Sequence, residues 1–506
     1  MNADTHSLWD IDKSGREASS LTAQAECDVC VIGAGIAGLT TAYLLTLEGK
    51  RVIVLDAKPA IASGETEHTT AHLAWYLDDT FSHLQFTRGA EVAKIAADSH
   101  RAAIDLIGEI ARTENIDCDY QKVDGYLFEG ANGQEELEKE AKTMTGLGLP
   151  FERTRLTFPG GQSVACLKFP NHARFHPIKY LTQLAAAFRK RGGKIYTHTV
   201  ASSVEGGKPC KTTTTHGKSI LSQSAVIATN NPFESGTTMY TKATPYTTYA
   251  FAAEFKRGSF GDGLYWDTDE PYHYVRFQPG GPVENFDYIV VGGEDHHTGQ
   301  ANDQLQRWDR LKQWASERFP GMGAVKYHWS GEVYETPDGL AFIGIAPGNR
   351  QSVYVITGDS GMGMTHSTLG ARLVTDLIMG RPNDWASAYS PSRNMPLAIR
   401  SRLSEDANIF AQYRDWFTGG DVKSVDDIPP GTGAVIRSGL SKHAVFKDDK
   451  GAVTRLSAVC PHMGCIVQWN PGETTWDCPC HGSRFSATGM CLHGPSTSDL
   501  KPIDSK

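Results

Sequence analysis

Two short segments near the C-terminal end carry the most specific chemistry in the chain. Cys460-Pro-His462-Met-Gly-Cys465 and Cys478-Pro-Cys480-His481-Gly-Ser483 present thiols and imidazoles as Cys-x-His and Cys-x-x-His. Two thiolates and two imidazoles suit a [2Fe–2S] cluster, with sulfur on one iron and nitrogen on the other. The same four groups could hold one zinc ion tetrahedrally. The candidate ligands are Cys460, His462, Cys478 and His481. Five of the 10 cysteines fall between Cys460 and Cys491. The others, Cys27, Cys30, Cys118, Cys166 and Cys210, are scattered, as in a chain whose thiols stay reduced.

A second chemistry sits at the front. Residues 27–56 run Cys-Asp-Val-Cys-Val-Ile-Gly33-Ala-Gly35-Ile-Ala-Gly38, then an amphipathic stretch, then Arg-Val-Ile-Val-Leu-Asp56. Val29–Ile32 and Val52–Leu55 read as short buried strands, and Leu39, Ala42, Tyr43, Leu44 and Leu47 recur at helical spacing. Gly33 permits the tight turn, Gly35 lets a pyrophosphate approach the backbone, and Gly38 lets helix and strand pack closely. The helix N-terminus offers N–H donors and a favourable dipole to phosphate. Asp56 can accept hydrogen bonds from a ribose, which fits FAD and NAD equally. A second fingerprint is not found: Gly292-Gly293 follows a strand, but Glu294-Asp295-His296-His297 cannot cradle a phosphate. This disfavours a flavoprotein driven by a nicotinamide cofactor.

These motifs must be positioned by a chain of 506 residues, too long for one core, so two to four units are expected. Apolar residues make up 40% and charged residues 21%, the balance of an ordinary globular protein. A net charge of −9 without a basic block argues against nucleic acid as a partner. No apolar run reaches 18 residues, so no transmembrane anchor is expected. The polar start, without an apolar signal core or twin arginine, predicts a cytoplasmic protein.

Residues 25–395 resemble the D-amino acid oxidase-like superfamily of FAD-dependent oxidoreductases, which includes glycine oxidase, sarcosine oxidase and the polyamine-pathway amine oxidases. The resemblance rests on Gly64-Glu-Thr66-Glu-His68-Thr69-Thr70-Ala71-His72-Leu73, on Ser224–Asn230, and on Val353–Thr365 with the helix after it. It decides for FAD and implies that Thr66, His68, Thr70, Ala71, Thr229, Gly358, Gly361, Gly363, Met364 and Thr365 lie along the flavin. The N-terminus of that last helix would stabilise negative charge on reduced flavin. Gly64, Thr66 and His68 also match a segment through which some members link FAD covalently. A covalent link, a polar neighbour of the flavin and a plain loop residue all remain open for His68. Relatives of the glycine oxidase type carry a carboxylate-binding Arg where Trp329–Gly339 here has Val333, which disfavours a simple α-amino acid substrate. Glu332, Tyr334 and Glu335 could instead hold a cationic amine, or form a solvated strand edge. Tyr265, Trp266, Tyr272, Tyr274 and Arg276 are candidates for the substrate face, and Tyr265, Tyr274, His296 and Tyr334 for catalysis.

Residues 428–503 resemble Rieske proteins, which favours the [2Fe–2S] cluster over zinc. The resemblance implies that Cys460, His462, Cys478 and His481 are ligands, that Cys465 and Cys480 form a disulfide, and that Gly494-Pro495 belongs to a loop covering the cluster. Ser483 matches a hydroxyl that bonds a bridging sulfide. Phe485 stands where respiratory members often have Tyr, which predicts a lower potential than theirs.

Together the two halves resemble a bacterial family of FAD-dependent oxidoreductases with a Rieske domain, including Ser7-Leu8-Trp9 and Phe175-His176-Pro177-x-x-Tyr180. The expected fold is an α/β Rossmann-like FAD domain, an α+β substrate-binding domain formed by insertions, and a small all-β Rieske domain. Expected boundaries are a tail over 1–26, the FAD domain over 27–105, 161–244 and 341–395, and the substrate domain over 106–160 and 245–340. A linker over 396–427 and the Rieske domain over 428–506 complete the chain. The expected function is oxidation of the C–N bond of an amine or N-substituted amino compound. Electrons would pass from flavin to cluster and, across an exposed His462/His481 edge, to a ferredoxin-like protein, cytochrome or quinone. Two alternatives stay open: a reductase fed by a ferredoxin-like donor, and a Rieske module serving as redox sensor or docking module.

Overall fold

The computed structural model describes residues 5–10, 14–131, 133–231, 233, 242–348, 351–395, 408 and 411–503. The strand Ala25–Ile32 is buried along its last four residues, as suits the centre of a parallel sheet. It pairs in parallel with Val52–Leu55 on one side and with Ser219–Asn230 on the other. Val353–Thr357 adds a further parallel strand, and Lys194–Tyr196 closes the opposite edge. The helix Ile36–Leu47 follows the first strand, and Gly363–Ile378 follows Val353–Thr357. Their apolar faces join one core with Ala90–Thr113 and Pro177–Lys190. This is the Rossmann-like FAD domain.

A nine-stranded, mostly antiparallel sheet forms the second layer. The long strands Thr244–Lys256, Phe286–His297 and Val325–Glu335 lie side by side in it. Pleating sends alternate residues to opposite faces. One face turns toward the FAD domain, and the other packs on the helix Gln304–Arg318 through Tyr249, Phe251, Tyr265 and Trp314.

The C-terminal part is all β. A three-stranded sheet, Thr432–Ser438, Ser441–Lys447 and Val453–Ser457, stands beside a four-stranded one, Gln468–Asn470, Thr475–Asp477, Arg484–Ser486 and Cys491–His493.

Several boundaries differ from the sequence reading. Of the segment 1–26, the described residues are not a loose tail: Leu8, Trp9 and Arg16 are buried. Trp9 Nε1 donates to the Thr69 carbonyl at 2.6 Å and its ring packs edge-on against His176, which joins two of the quoted motifs. Arg16 pairs with Glu67 at 2.9 Å, so the N-terminal segment braces the helix Glu65–His68 from behind. Ser163–Arg174, assigned to the FAD domain, pairs with Gln121–Phe128 in the nine-stranded sheet. The helix Ala90–Thr113 runs through the expected boundary at 105 because its apolar face belongs to the FAD core. Of the linker, 396–407 and 409–410 lie outside the described residues. The rest packs on the Rieske domain: Tyr413 Oη donates to the Met463 carbonyl and Trp416 Nε1 to the Gly464 carbonyl, both at 2.9 Å. No helix among the described residues is long and apolar enough to cross a membrane.

Candidate functional site

The glycine turn has the shape a dinucleotide needs. A Cβ on Gly33 would strike the Ala228 carbonyl, and one on Gly38 would strike the carbonyl of Gly33, so neither position admits a side chain. Asp56 accepts N–H bonds from Ala34 at 2.5 Å and Lys58 at 2.8 Å, which fixes its carboxylate at the strand end. Burial pushes that carboxyl up, and the two N–H donors pull it back down. Thr66 Oγ1 accepts the Ile36 N–H at 3.3 Å and lies against Gly35, tying the helix Glu65–His68 to the turn. A cavity of about 500 Å³ opens here. Gly33, Gly35, Asp56, Thr66, His68, Thr70, Thr229, Gly361, Gly363 and Met364 all line it. These residues fit FAD.

Four expected flavin residues stand behind the wall rather than in it. Gly38 packs on the turn, and Ala71 is buried with its carbonyl held by Arg276 at 2.6 Å. Gly358, at φ +69°, packs against Thr336. Thr365 Oγ1 bonds His100 Nδ1 at 2.7 Å. Arg276 therefore serves the backbone of the flavin segment, not a substrate.

The cluster loops converge as their spacing implies. Cys465 and Cys480 form a disulfide with Cα atoms 6.4 Å apart, while Cys460 and Cys478 remain free thiols, both buried. The His462 and His481 rings meet edge to face with centroids 5.0 Å apart. This donor set fits a [2Fe–2S] cluster with two sulfur and two nitrogen ligands. Ser483 Oγ, fully buried, accepts the Ser496 N–H at 3.0 Å, which ties the loop after Gly494-Pro495 down onto this end.

The two halves meet at the site itself. Asn231, directly after the strand Ser219–Asn230, donates its side-chain amide to the His481 carbonyl at 3.1 Å. Gly482 packs where any Cβ would strike the Glu332 carboxylate and come within 2.8 Å of Tyr334 Oη. Arg484, paired with Asp477 at 3.2 Å, reaches Ser330 Oγ at 3.4 Å. The expected exposed edge of two histidines is thus half correct. His481 is only 3% exposed because the FAD half covers it, whereas His462 is partly exposed.

The four catalytic candidates separate. Tyr274 and Tyr334 line the cavity. Tyr265 and His296 do not, because pleating points them at the opposite face of the sheet. Tyr265 stacks on Tyr126 at 4.9 Å and donates to the Gly261 carbonyl, while His296 bonds Tyr249 Oη at 2.9 Å. Glu332 and Tyr334 share the side that meets Gly482, so Val333 and Glu335 take the other.

Acidic groups cluster beside Thr248 and Tyr274, two residues of the cavity wall. Thr248 and Tyr274 bond each other at 2.9 Å beside Asp295. Burial pushes the Asp295 carboxyl up to about 7, with Glu270 adding to the rise. Asp359 lines the cavity by Gly363 and is pushed up to about 7 by burial and by the charge of Glu65. Asp78, exposed at the rim, lies beside Asp79, Asp295 and Tyr272, and crowding by its neighbours and the charges of Asp79 and Asp295 raise its carboxyl. Glu335 is raised well above the carboxylate range by burial and by Asp79, Asp295 and Asp78.

Sequence reasoning missed the Rieske residues that reach the flavin side. Cys491, Leu492, His493, Ser496 and Thr497 line the same cavity as Gly33 and Asp56. His493 Nδ1 pairs with Glu65 at 2.8 Å, and its ring stands edge-on to His68 at 6.0 Å. No signal in the sequence says which surface of a small β domain will dock.

Comparison with known proteins agrees with this geometry. The DAO model, FAD dependent oxidoreductase, matches residues 28–377, and the Rieske [2Fe-2S] domain model matches 419–504. The Bacillus subtilis (strain 168) protein YhfW, named for a Rieske 2Fe-2S centre, is 32% identical over 490 residues, covering 96% of this chain and 95% of its own. Gamma-glutamylputrescine oxidoreductase of Escherichia coli (strain K12) is 23% identical over 395 residues, 74% of this chain and 88% of its own. The crystal structure of glycine oxidase from Geobacillus kaustophilus superposes with a TM-score of 0.61 at 17% identity, over 73% of this chain and 100% of that one. The chain belongs to the DAO family of FAD-dependent oxidoreductases and carries a C-terminal Rieske [2Fe-2S] domain.

Proposed function

We propose that the protein oxidises the C–N bond of a cationic amine at the flavin and passes the electrons to the Rieske cluster, which hands them to an external one-electron acceptor. FAD supplies a hydride acceptor and the cluster a one-electron carrier. The observation that carries this reading is the Asn231–His481 bond, which joins the wall of the flavin cavity to a cluster ligand. The partly exposed His462, beside His481, gives the cluster an outlet toward a ferredoxin-like protein, cytochrome or quinone.

The amine assignment rests on the charge of this acidic cluster. Besides burial, Asp78 is raised by Asp79, Asp295 and Asp359, Glu335 by Asp79, Asp295 and Asp78, and Asp295 by Glu270, and a bound ammonium would relieve this repulsion. Val333 supplies no guanidinium for a carboxylate. Tyr274 and Thr248 can orient the amine nitrogen, and Asp295, held near neutral pH, can accept its proton before oxidation. The scattered thiols Cys27, Cys30, Cys118, Cys166 and Cys210, all free, fit a cytoplasmic setting.

The test is anaerobic mixing of the holoprotein with a panel of primary and secondary amines. Flavin bleaching is followed by absorbance and the reduced cluster by low-temperature EPR. One amine should bleach the flavin first and generate the cluster signal after it. Reduction of both centres by dithionite but by no amine sinks the amine assignment. Bleaching without the EPR signal sinks the internal route.

A further inference from the structure

We infer that the Rieske domain is a wall of the FAD site, so that FAD entry and exit require this domain to undock. The cavity built on Gly33, Gly35 and Asp56 is completed on its outer side by the segment from Met490 to Asp499. That segment is anchored at two points after the second strand of the dinucleotide unit. Lys58, two residues beyond Asp56, donates its ammonium to the Leu492 carbonyl. Glu65, one residue before Thr66, pairs with His493, and the same carboxylate accepts the Glu332 N–H at 2.7 Å. Both partners of the Glu65–His493 pair are mostly shielded, with side chains 19% and 16% exposed, so carboxylate and imidazole meet largely out of water.

The clasp is built from residues of both domains, and neither domain alone encloses the cavity. Ser496 extends the latch inward, because its N–H bonds Ser483 next to the cluster loops. Tying the same segment to the cluster end and to the dinucleotide turn couples the two cofactor sites. The coupling is reciprocal: bound FAD holds the Rieske domain down, and a docked Rieske domain slows FAD loss. This inference needs only that FAD binds and holds for either direction of electron flow.

The test uses the full chain and two readouts other than turnover. First, FAD release on dilution is followed by the rise of free flavin fluorescence in wild type, His493→Ala and Glu65→Gln. Both variants should release FAD about tenfold faster, the scale of an ordinary coupling energy. Second, hydrogen exchange is compared between FAD-loaded wild type and wild type grown riboflavin-limited, which needs no variant to fold. FAD should protect amides in 490–499 and at 479–482, far from the glycine turn in sequence. Release rates equal to wild type, or exchange in 490–499 indifferent to FAD, overturn the inference.

Discussion

The side-chain amide of Asn231 donates to the main-chain carbonyl of His481 at 3.1 Å, across 250 positions of sequence. One partner directly follows a strand of the flavin sheet and the other is a candidate cluster ligand. Such a bond contributes about 1 kcal/mol. Asn231→Ala should therefore lower the docking equilibrium constant about fivefold for a loss of that size and slow cluster reduction more than flavin reduction. Stopped-flow absorbance paired with rapid-freeze EPR checks this. Equal slowing of both steps would show that the bond serves the flavin site as a whole.

Removing one ligand separates the two cofactors. His462→Ala replaces the more exposed imidazole and leaves the Asn231 bond to His481 intact. Iron content and the EPR signal of the reduced cluster should be lost, with absorbance near 450 nm from flavin retained, as expected when a [2Fe–2S] centre loses one of four ligands. A variant that keeps its iron would remove His462 from the ligand set.

Asp295 links pH to stability. Its folded carboxyl is raised to about 7 by burial, above an unfolded value of about 4. Between those values the folded state binds more protons than the unfolded one, so this group's contribution to stability falls as pH rises from about 4 to about 7. Asp295→Asn should raise the melting temperature relative to wild type at pH 8 and progressively less toward pH 4. It should also raise KM for a cationic amine. Melting curves at several pH values, with steady-state kinetics, measure both effects.

Gly38 carries the tightest approach in the dinucleotide turn, where a Cβ would strike the Gly33 carbonyl. Gly38→Ala should purify with little or no flavin, at a cost of about 1–3 kcal/mol from overpacking. For wild type, acid precipitation should release FAD into the supernatant. His68 is held by the Gly64 carbonyl at 3.1 Å and faces His493, an arrangement that suits a polar neighbour of the flavin. Flavin remaining in the pellet would instead indicate a covalent link.

Local patterns were legible without the structure, because each is written in contiguous residues. The strand–glycine turn–helix–strand unit ending at Asp56 is one such pattern, and the paired Cys/His loops with Cys465 and Cys480 are another. Backbone sterics at Gly33 and Gly38 and the donor set at Cys460, His462, Cys478 and His481 leave few other uses for those residues. Strand alternation also told which residues share a face, but not which face meets the flavin. Tyr265 and Tyr274 looked alike for that reason, and only the packing of the helix Gln304–Arg318 against one side of the sheet distinguishes them.

Docking was decided in three dimensions. The burial of His481, the closure of the flavin cavity by Cys491–Thr497 and the pairing of Glu65 with His493 each join residues hundreds of positions apart. Such contacts depend on the shapes and charges of two completed surfaces, which leave no periodicity or spacing in the chain. The sequence by itself determined two redox centres; the tertiary structure decided that the domain carrying one of them closes the cavity of the other.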